Sequence, residues 1–271
     1  MGIRVAMYTR EWARRGKFAA NRVLGRRGLS AAKWAVGTVR RALCYGRRFE
    51  CPVCGSRLRR MLYLIEHSRD GTCPVCRCPA RHRWLWLVLR EKGLLQGPGA
   101  KVLHVGPEWA IERKLRAALG PGYLSVDLLP DRAMAQMDIT ASGCADAAYD
   151  LIICSHVLDL IPDDGLALRE MFRILRPGGV FLVQVAMHGG PVTREDPLCV
   201  TPAQRQATYG QGDKLRLYGG DLADRLQGAG FHVEVLDPQT ALSPADFDRY
   251  AMDDSTPIWA TQSRVYVGRK R

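Results

Sequence analysis

Four cysteines in two Cys-Pro-Val-Cys segments show the clearest chemical spacing in this chain of 271 residues. Cys51 and Cys54 form the first pair, Cys73 and Cys76 form the second, and eighteen residues separate the two pairs. This spacing predicts a four-cysteine zinc site, in which Zn2+ is tetrahedral and closed to a catalytic water. Disulfide or redox pairs are the alternative, which the repeated motif and the arginine-rich, non-secretory character of the first thirty residues disfavour. Cys78 is a spare thiol that could replace Cys76.

Glycine and polar residues at the ends of short apolar runs form a second set of candidates. Each of the following ends such a run or comes directly after it: Gly106, Asp127, Asp138 and the segment Cys154–His156. Because the carboxyl ends of parallel strands meet at one edge of a sheet, we expect these residues to line a common ligand site.

The elements that would position these residues alternate along the chain from Lys101 onward. Apolar runs predict strands at residues 101–105, 123–126, 134–137, 149–154, 180–186, 231–235 and 263–267. Other patterns predict helices at residues 108–119, 163–175 and 220–228. This alternation predicts an α/β fold with a doubly wound, Rossmann-like, mostly parallel seven-stranded sheet. About seven residues join the second and third strands, too few for a crossover helix, so we expect thin cover there.

Several of these stretches resemble, in order, the motifs of a known enzyme family. They are Val102-Leu-His-Val-Gly106, Asp127, Asp138-Ile139, the stretch from Asp150 to Asp163, and Leu-Arg-Pro-Gly-Gly179. Together they resemble the type-11 domain of class I S-adenosylmethionine-dependent methyltransferases, over residues 100–236. The resemblance implies S-adenosyl-L-methionine as cofactor and methyl transfer as the reaction. It also implies cofactor contacts from the following residues: Gly106, Glu108, Asp127, Leu128, Asp138, Ile139, Cys154 and Ser155.

The glycine-rich loop departs from the pattern of this family. Family members read Gly-x-Gly-x-Gly, whereas this chain reads Gly106-Pro-Glu108-Trp-Ala110, and His104 replaces an acidic residue before the first glycine. We hypothesise that Glu108 takes the place of the missing acid and binds the ammonium of the methionyl part. The alternative is a loop that no longer binds cofactor. Asp127 ends the second strand, where a carboxylate can accept hydrogen bonds from the ribose hydroxyls.

The ends of the third and fourth strands supply the remaining roles. Asp138 and Ile139 are expected to frame adenine, one by accepting from its amino group and the other by packing on its face. His156 is the best candidate for a general base, because it lies beside the expected methyl group and imidazole titrates near neutrality. A hydrogen-bonded core histidine is an equally open interpretation, and His188 is a weaker second candidate.

A polar insertion at residues 187–219 is expected to determine acceptor specificity. It is longer than a structural connection requires, and long loops of this kind tend to be lids or binding segments. The candidate acceptor contacts are Glu195, Asp213, Arg216 and Tyr218. A solvated loop without a binding role is the alternative.

Positive charge is concentrated ahead of the predicted sheet. Residues 1–100 hold 22 Lys+Arg and 5 Asp+Glu, whereas residues 101–271 hold 18 and 22. We divide the chain into a basic helical N-terminal arm (1–50), a zinc ribbon (51–80), a linker helix (81–100) and the methyltransferase domain (101–271). The arm would contact RNA phosphates or an anionic membrane surface, unless the excess arginine reflects only genomic base composition.

Three functions fit these observations. The first is a methyltransferase for a small-molecule or saccharide acceptor, with the ribbon covering the acceptor pocket. The second is an RNA methyltransferase in which ribbon and arm grip phosphates, and the third is a binding module with a degenerate cofactor loop. No Asn/Asp-Pro-Pro-Tyr/Phe motif follows the fourth strand, which disfavours methylation of exocyclic base nitrogens. No apolar run approaches the length of a membrane span, and we expect a cytoplasmic protein.

Overall fold

The computed structural model of the protein describes residues 36–62, 71–95, 99–252 and 264–271. Residues 1–35, most of the predicted basic arm, lie outside the described residues, as do residues 96–98 of the predicted linker. Among the described residues, no helix has the length and apolar character needed to cross a membrane.

The amino-terminal module is a small hairpin preceded by a helix. Residues 36–43 form helix α1, and strands β1 (Tyr45–Cys51) and β2 (Ser56–Leu58) pair antiparallel. The turn between these strands carries the first Cys-Pro-Val-Cys segment. Strand β1 therefore starts ahead of the predicted ribbon boundary at residue 51, because β2 needs a partner strand on the other side of the turn. Helix α2 (Ala80–Glu91) follows the second cysteine pair, close to the predicted linker helix.

The described residues from 99 onward form the predicted sheet, two further short strands and six α-helices, whose bounds are as follows. The strands are β3 (Val102–Val105), β4 (Tyr123–Asp127), β5 (Ala135–Gln136), β6 (Tyr149–Ser155), β7 (Leu175–Gln184), β8 (Arg194–Glu195), β9 (Arg216–Leu217), β10 (His232–Leu236) and β11 (Val265–Arg269). The helices are α3 (Trp109–Leu119), α4 (Asp164–Ile174), α5 (Pro202–Tyr209), α6 (Leu222–Gly228), α7 (Pro238–Ala241) and α8 (Pro244–Arg249).

The central sheet confirms the predicted fold class. It has seven strands in the order β10-β11-β7-β6-β3-β4-β5, and β11 runs antiparallel between β7 and β10. The other strands are parallel, so β3, β4, β6 and β7 present their carboxyl ends at one edge. Strand β5 has only two residues, both exposed, as expected from the short connection that precedes it. The order reverses at β3 and β6, which is where open α/β sheets bind ligands.

Apolar cores cover both faces of this sheet. Helices α2 and α3 pack on one face through residues such as Leu87 and Ile111, and helices α4 and α6 pack on the other through Met171 and Leu226. Strand β6 contributes alternate residues to the two cores, as a strand buried on both faces must.

One buried arginine joins the amino-terminal module to the carboxyl-terminal part of the chain. The side chain of Arg83 in α2 is fully buried and donates hydrogen bonds to four backbone carbonyls. Two belong to Gly71 and Cys78 of the ribbon, at 2.6 and 2.8 Å, and two belong to Tyr250 and Ala251, at 2.8 and 2.6 Å. The ribbon is therefore fixed to the sheet domain by polar contacts as well as by packing.

The insertion at residues 187–219 has structure of its own. It contains helix α5, which starts with a capping box between Thr201 and Gln204, and the antiparallel pair β8–β9. The long connection is thus a small folded lobe above the carboxyl end of β7.

Candidate active site and metal centre

The four predicted zinc ligands lie together. The sulfur atoms of the group all lie within 4.8 Å of one another: Cys51, Cys54, Cys73 and Cys76. The Cys51 and Cys76 sulfurs are 3.5 Å apart, and the Cys54 and Cys73 sulfurs are 3.8 Å apart. Four sulfurs at about 2.3 Å from a tetrahedral zinc are about 3.8 Å from one another, so the donor set fits Zn2+. Cys78 is not part of this group, and the described cysteines form no disulfide.

The two cysteine pairs share one turn geometry. The Gly55 amide donates to the Cys51 carbonyl at 2.8 Å, and the Arg77 amide donates to the Cys73 carbonyl at 2.9 Å. Gly55 and Arg77 both have positive φ angles, 69° and 64°. The sequence indicated this conformation for Gly55, where it is easily adopted, whereas nothing in the sequence indicated it for Arg77.

Gly106 turns the chain from β3 into α3. Its φ angle is 60°, and a Cβ atom at this position would lie 2.6 Å from Cγ2 of Val157. Its amide donates to the carbonyl of Val126 near the end of β4, at 2.8 Å. The turn therefore has no room for a side chain and is held against the neighbouring strand, as expected where backbone approaches a ligand.

Glu108 lies between two histidines directly after this turn. Its Oε2 is 2.8 Å from Nε2 of His104, and its Oε1 is 3.6 Å from Nε2 of His82. The second ring nitrogen of His104 is 2.8 Å from the hydroxyl of Tyr123. Burial acts to raise the pKa of Glu108, but the charges of His82 and His104 and the hydrogen bond to His104 outweigh it and hold the pKa well below its ordinary value. Glu108 is therefore an anion at neutral pH.

Asp127 ends β4, next to the Gly106 turn. Its Oδ1 accepts a hydrogen bond from the amide of Leu129 at 2.9 Å, which fixes the carboxylate at the strand end. The side chain of Leu128 is 61% exposed, so it is available to cover a ligand. Both residues thus lie at the predicted strand end.

Asp138 and Ile139 point in different directions. The Asp138 carboxylate is exposed and accepts from the amide and hydroxyl of Thr140, at 2.8 and 2.7 Å. The Ile139 side chain is buried and packs in the core beside Leu103 and Val126. Only Asp138 therefore presents a polar side chain at the surface here.

The three predicted residues at the end of β6 differ in accessibility. Cys154 is fully buried, and burial, followed by the charges of nearby carboxylates, raises the pKa of its thiol well above the ordinary value. The Ser155 hydroxyl donates to the side-chain oxygen of Gln184 at 3.5 Å. His156 has a φ angle of 53°, and its amide donates to the Gln184 carbonyl at 2.8 Å. A positive φ angle in a non-glycine residue at a strand end is typical of functional sites.

The imidazole of His156 is neutral at physiological pH. Burial and the positive charges of Arg81, His82 and Lys214 lower its pKa well below the ordinary value, against a smaller opposing effect of Glu108. Its Nε2 is shielded from solvent and makes no hydrogen bond within the described part of the chain. The lowered pKa makes this imidazole a weak base, and its unused nitrogen is the feature that would let it accept a proton.

His188, the second base candidate, has both ring nitrogens engaged. Its Nε2 lies 2.8 Å from the Val192 carbonyl, and its Nδ1 accepts from the amide of Gly190 at 3.2 Å. These contacts make His188 a support of the loop that begins the insertion.

Four polar residues near this strand edge were missed by sequence reasoning. Arg81 and His82 come from α2, and the Arg81 carbonyl accepts from the Gln184 side chain at 3.2 Å. Asp159 and Lys214 are buried, and Oδ2 of Asp159 lies 3.7 Å from Nζ of Lys214. This ion pair links the turn after β6 to the insertion. Burial raises the pKa of Asp159 and lowers that of Lys214. Of these four residues, only Asp159 gave a signal in the sequence, as a polar residue within the apolar run Val-Leu-Asp-Leu.

The predicted acceptor residues divide into two kinds. Arg216 is fully buried and forms two hydrogen bonds with the Glu195 carboxylate, at 3.0 and 2.6 Å. Its remaining donors bond the carbonyls of Leu158, Ile161 and Pro162. The buried Tyr218 hydroxyl donates to Asp164 at 2.7 Å. Because their polar atoms are already used, the structure places Arg216 and Tyr218 as supports of the insertion, whereas Glu195 and Asp213 stay exposed.

Comparison with known proteins confirms the family resemblance for part of this domain. Residues 120–183 match the family Methyltransf_11, described as a methyltransferase domain. Ubiquinone biosynthesis O-methyltransferase of Xanthomonas campestris pv. campestris (strain B100) is 26% identical over 102 residues, covering 32% of this chain and 43% of that protein. Arsenite methyltransferase of Aquipseudomonas alcaligenes is 29% identical over 94 residues, covering 35% of this chain and 25% of that protein. The chain thus spans less than half the length of these curated relatives.

Solved methyltransferase structures also align with this chain. An S-adenosylmethionine-dependent methyltransferase from Mesorhizobium loti aligns over 68% of this chain and 96% of that chain, with 16% identity and a TM-score of 0.48. Phosphoethanolamine N-methyltransferase 2 of Haemonchus contortus, solved with S-adenosyl-L-methionine, aligns over 70% of this chain and 52% of that chain, with 14% identity and a TM-score of 0.49.

Proposed function

We propose that this protein transfers the methyl group of S-adenosyl-L-methionine to a small-molecule or saccharide acceptor. The observation that carries the proposal is the position of Glu108, which is anionic, lies beside His104 and follows the Gly106 turn. Its Oε1 is buried beside His82 and accepts no hydrogen bond within the described residues, so it is an unsatisfied acceptor that a ligand ammonium group would fill. The match of residues 120–183 to a methyltransferase domain supports the same reaction.

The donor set at the strand edge suits this cofactor. Glu108 would bind the ammonium of the methionyl part, and the Gly106 backbone would lie against it. Asp127 would accept the ribose hydroxyls, because one of its oxygens accepts no hydrogen bond within the described residues. Exposed Leu128 would cover the nucleoside, and Asp138 would accept from the adenine amino group.

The cofactor, when bound, would supply an electrophilic methyl group on a sulfonium. The residues of this chain then have two tasks, to orient the acceptor and to remove its proton where the acceptor is poorly ionised. His156 is the candidate for the second task, because its Nε2 is unused in the described structure, and its lowered pKa limits it to a weak base. Helix α2 lies across the strand edge at Arg81 and His82 and would exclude water from the site.

A small acceptor is favoured by one fixed carboxylate of the insertion. Glu195 is exposed there. Glu195 is held by Arg216 in a two-bond contact, so its position is fixed. A fixed carboxylate is suited to accept hydrogen bonds from the hydroxyl groups of a sugar or a similar acceptor.

RNA is the second candidate acceptor, because the β1–β2 hairpin and the residues directly after it present exposed arginines. Within residues 45–60, the exposed arginines are Arg47, Arg48, Arg57, Arg59 and Arg60. Zinc would have a structural role in either case, since four thiolates close its coordination sphere.

The proposed function is tested in two steps with metal-replete protein. Isothermal titration with S-adenosylhomocysteine should show binding at one site per chain, and failure to bind at millimolar concentration would contradict the methyltransferase proposal. Transfer of a tritiated methyl group is then measured against a metabolite and saccharide pool and, separately, against total RNA. Label in the small-molecule fraction supports the first candidate, and label in RNA that weakens steeply with salt supports the second.

A further inference from the structure

The outer face of helix α1 is apolar and exposed. Val36, Val39 and Leu43 are 49, 61 and 65% exposed, and their spacing places all three on one side of the helix. Tyr45, two residues further on, is 59% exposed. Val36, Val39 and Leu43 thus form one exposed apolar stripe, with Tyr45 exposed nearby in the sequence, which is unusual for a surface with no partner.

The inner face of α1 is fixed on the zinc ribbon. Gly37 is buried, and a Cβ atom there would lie 2.9 Å from the carbonyl oxygen of Val75. Arg41, on the same side of the helix, donates to the Cys54 carbonyl at 3.1 Å. Both contacts involve the cysteine-bearing turns, so the folded ribbon sets the direction of the exposed apolar face.

Positive charge adjoins this face. The exposed arginines of the hairpin are Arg47, Arg48, Arg57, Arg59 and Arg60, and none of them forms an ion pair among the described residues. The one acidic residue within residues 36–62 is Glu50, whose carboxylate is 2.7 Å from Arg249. The amino-terminal module therefore combines an apolar helix face with a cationic hairpin.

We propose that this surface, α1 with the β1–β2 hairpin, docks on an anionic lipid membrane. An amphipathic helix lies in the membrane interface with its apolar side buried, and adjacent arginines bind anionic headgroups. The observations favour a membrane over RNA, because a phosphate backbone would use the arginines and leave Val39 and Leu43 exposed to water. The chain then binds membranes peripherally through α1 and the β1–β2 hairpin, independently of the proposed methyl acceptor.

Flotation of the full-length protein with lipid vesicles tests this proposal. The probes are vesicles of phosphatidylcholine alone and vesicles of phosphatidylcholine mixed with phosphatidylglycerol. Wild-type protein should float with the mixed vesicles only. The double variant Val39→Gln/Leu43→Gln should bind them about tenfold less tightly, because it removes apolar surface without changing charge. Val192→Gln/Leu198→Gln, which alters exposed apolar residues of the insertion, is the matched control and should bind like wild type.

The other possible occupants of the surface give distinct results. Equal vesicle binding by wild type and the α1 variant would overturn the proposal, as would failure of wild type to bind. A large fall in thermal stability of the α1 variant would show that the face is covered within the chain, and a changed oligomeric state would show contact with a second copy. Either result would overturn it, and so would tighter binding to an RNA oligonucleotide than to the mixed vesicles. Zinc content measured in every variant confirms that the ribbon is intact.

Discussion

The imidazole Nε2 of His104 lies 2.8 Å from the carboxylate of Glu108, four residues further along the chain. The strand therefore carries a histidine before the glycine turn, and Glu108, the first residue before α3, places a carboxylate against it. The histidine is itself held by Tyr123, so the pair is fixed from the strand side. A carboxylate thus lies next to the glycine turn, although it comes from Glu108 after the turn and the strand itself contributes His104.

Replacing Glu108 by Gln should weaken cofactor binding. The substitution keeps the size of the side chain and removes the charge that would face the ligand ammonium, so we expect the dissociation constant of S-adenosylhomocysteine to rise about tenfold. Isothermal titration measures the change. Glu91→Gln, on the exposed end of α2, is the control and should leave the constant unchanged. Equal affinities of wild type and Glu108→Gln would remove the role proposed for this carboxylate.

Replacing Gly106 by Ala should destabilise the protein for two separable reasons. A residue with a Cβ atom at positive φ costs about 1–2 kcal/mol, and the new atom would also clash with Val157. Gly143→Ala, where φ is 68° and no atom lies within 4 Å of the Cβ position, measures the first cost alone. Urea unfolding should show a larger loss for Gly106→Ala. In a Val157→Ala background, Gly106→Ala should cost less stability than it does in the wild type, because the clash is relieved. Equal costs in the two backgrounds would contradict the steric explanation.

Metal analysis should find one zinc ion per chain. Cys73→Ser should abolish zinc binding and lower the midpoint of thermal unfolding, because structural zinc contributes directly to folding free energy. Cys78→Ser should keep its zinc, since the Cys78 sulfur lies outside the group of four ligand atoms. Loss of zinc in Cys78→Ser with retention in Cys76→Ser would reverse this assignment.

The contribution of Glu170 to stability should depend on pH. Hydrogen bonds from Arg173, which outweigh the effect of burial, lower the pKa of Glu170 to about 2, and Ser142 donates to the same carboxylate. Because the pKa of Glu170 is lower in the folded state, its contribution to stability is complete above the ordinary titration range of a glutamate. That contribution is lost as the pH falls toward about 2. Glu170→Gln should therefore cost about 1 kcal/mol near neutral pH and less at about pH 4, because Arg173 is partly exposed.

Urea unfolding at the two pH values measures this difference. Glu234→Gln, which removes an exposed partner of Lys92, is the control and should change stability little at either pH. A cost of Glu170→Gln that does not shrink at the lower pH would contradict a charge-dependent role.

Local patterns predicted the strands and the strand-end residues, because a buried apolar run and the polar residue that ends it are adjacent in the sequence. Gly106 and Asp127 are where the motifs placed them. The contact between His82 and Glu108 was not predictable, since it depends on how α2 packs across the sheet edge. Arg216 was assigned to the acceptor because a polar loop residue gives no sign that its donors will be used inside the fold.

The hydrogen bonds from Arg83 to four backbone carbonyls limit where this chain can be cut into separately folding fragments. A fragment trimmed to begin at residue 99 would leave the carbonyls of Tyr250 and Ala251 without their donors and would uncover the sheet surface under α2. We therefore expect the cysteine-bearing module and the half that carries the glycine turn to unfold as one cooperative unit. We consequently expect a version of this protein shortened to its sheet domain to aggregate.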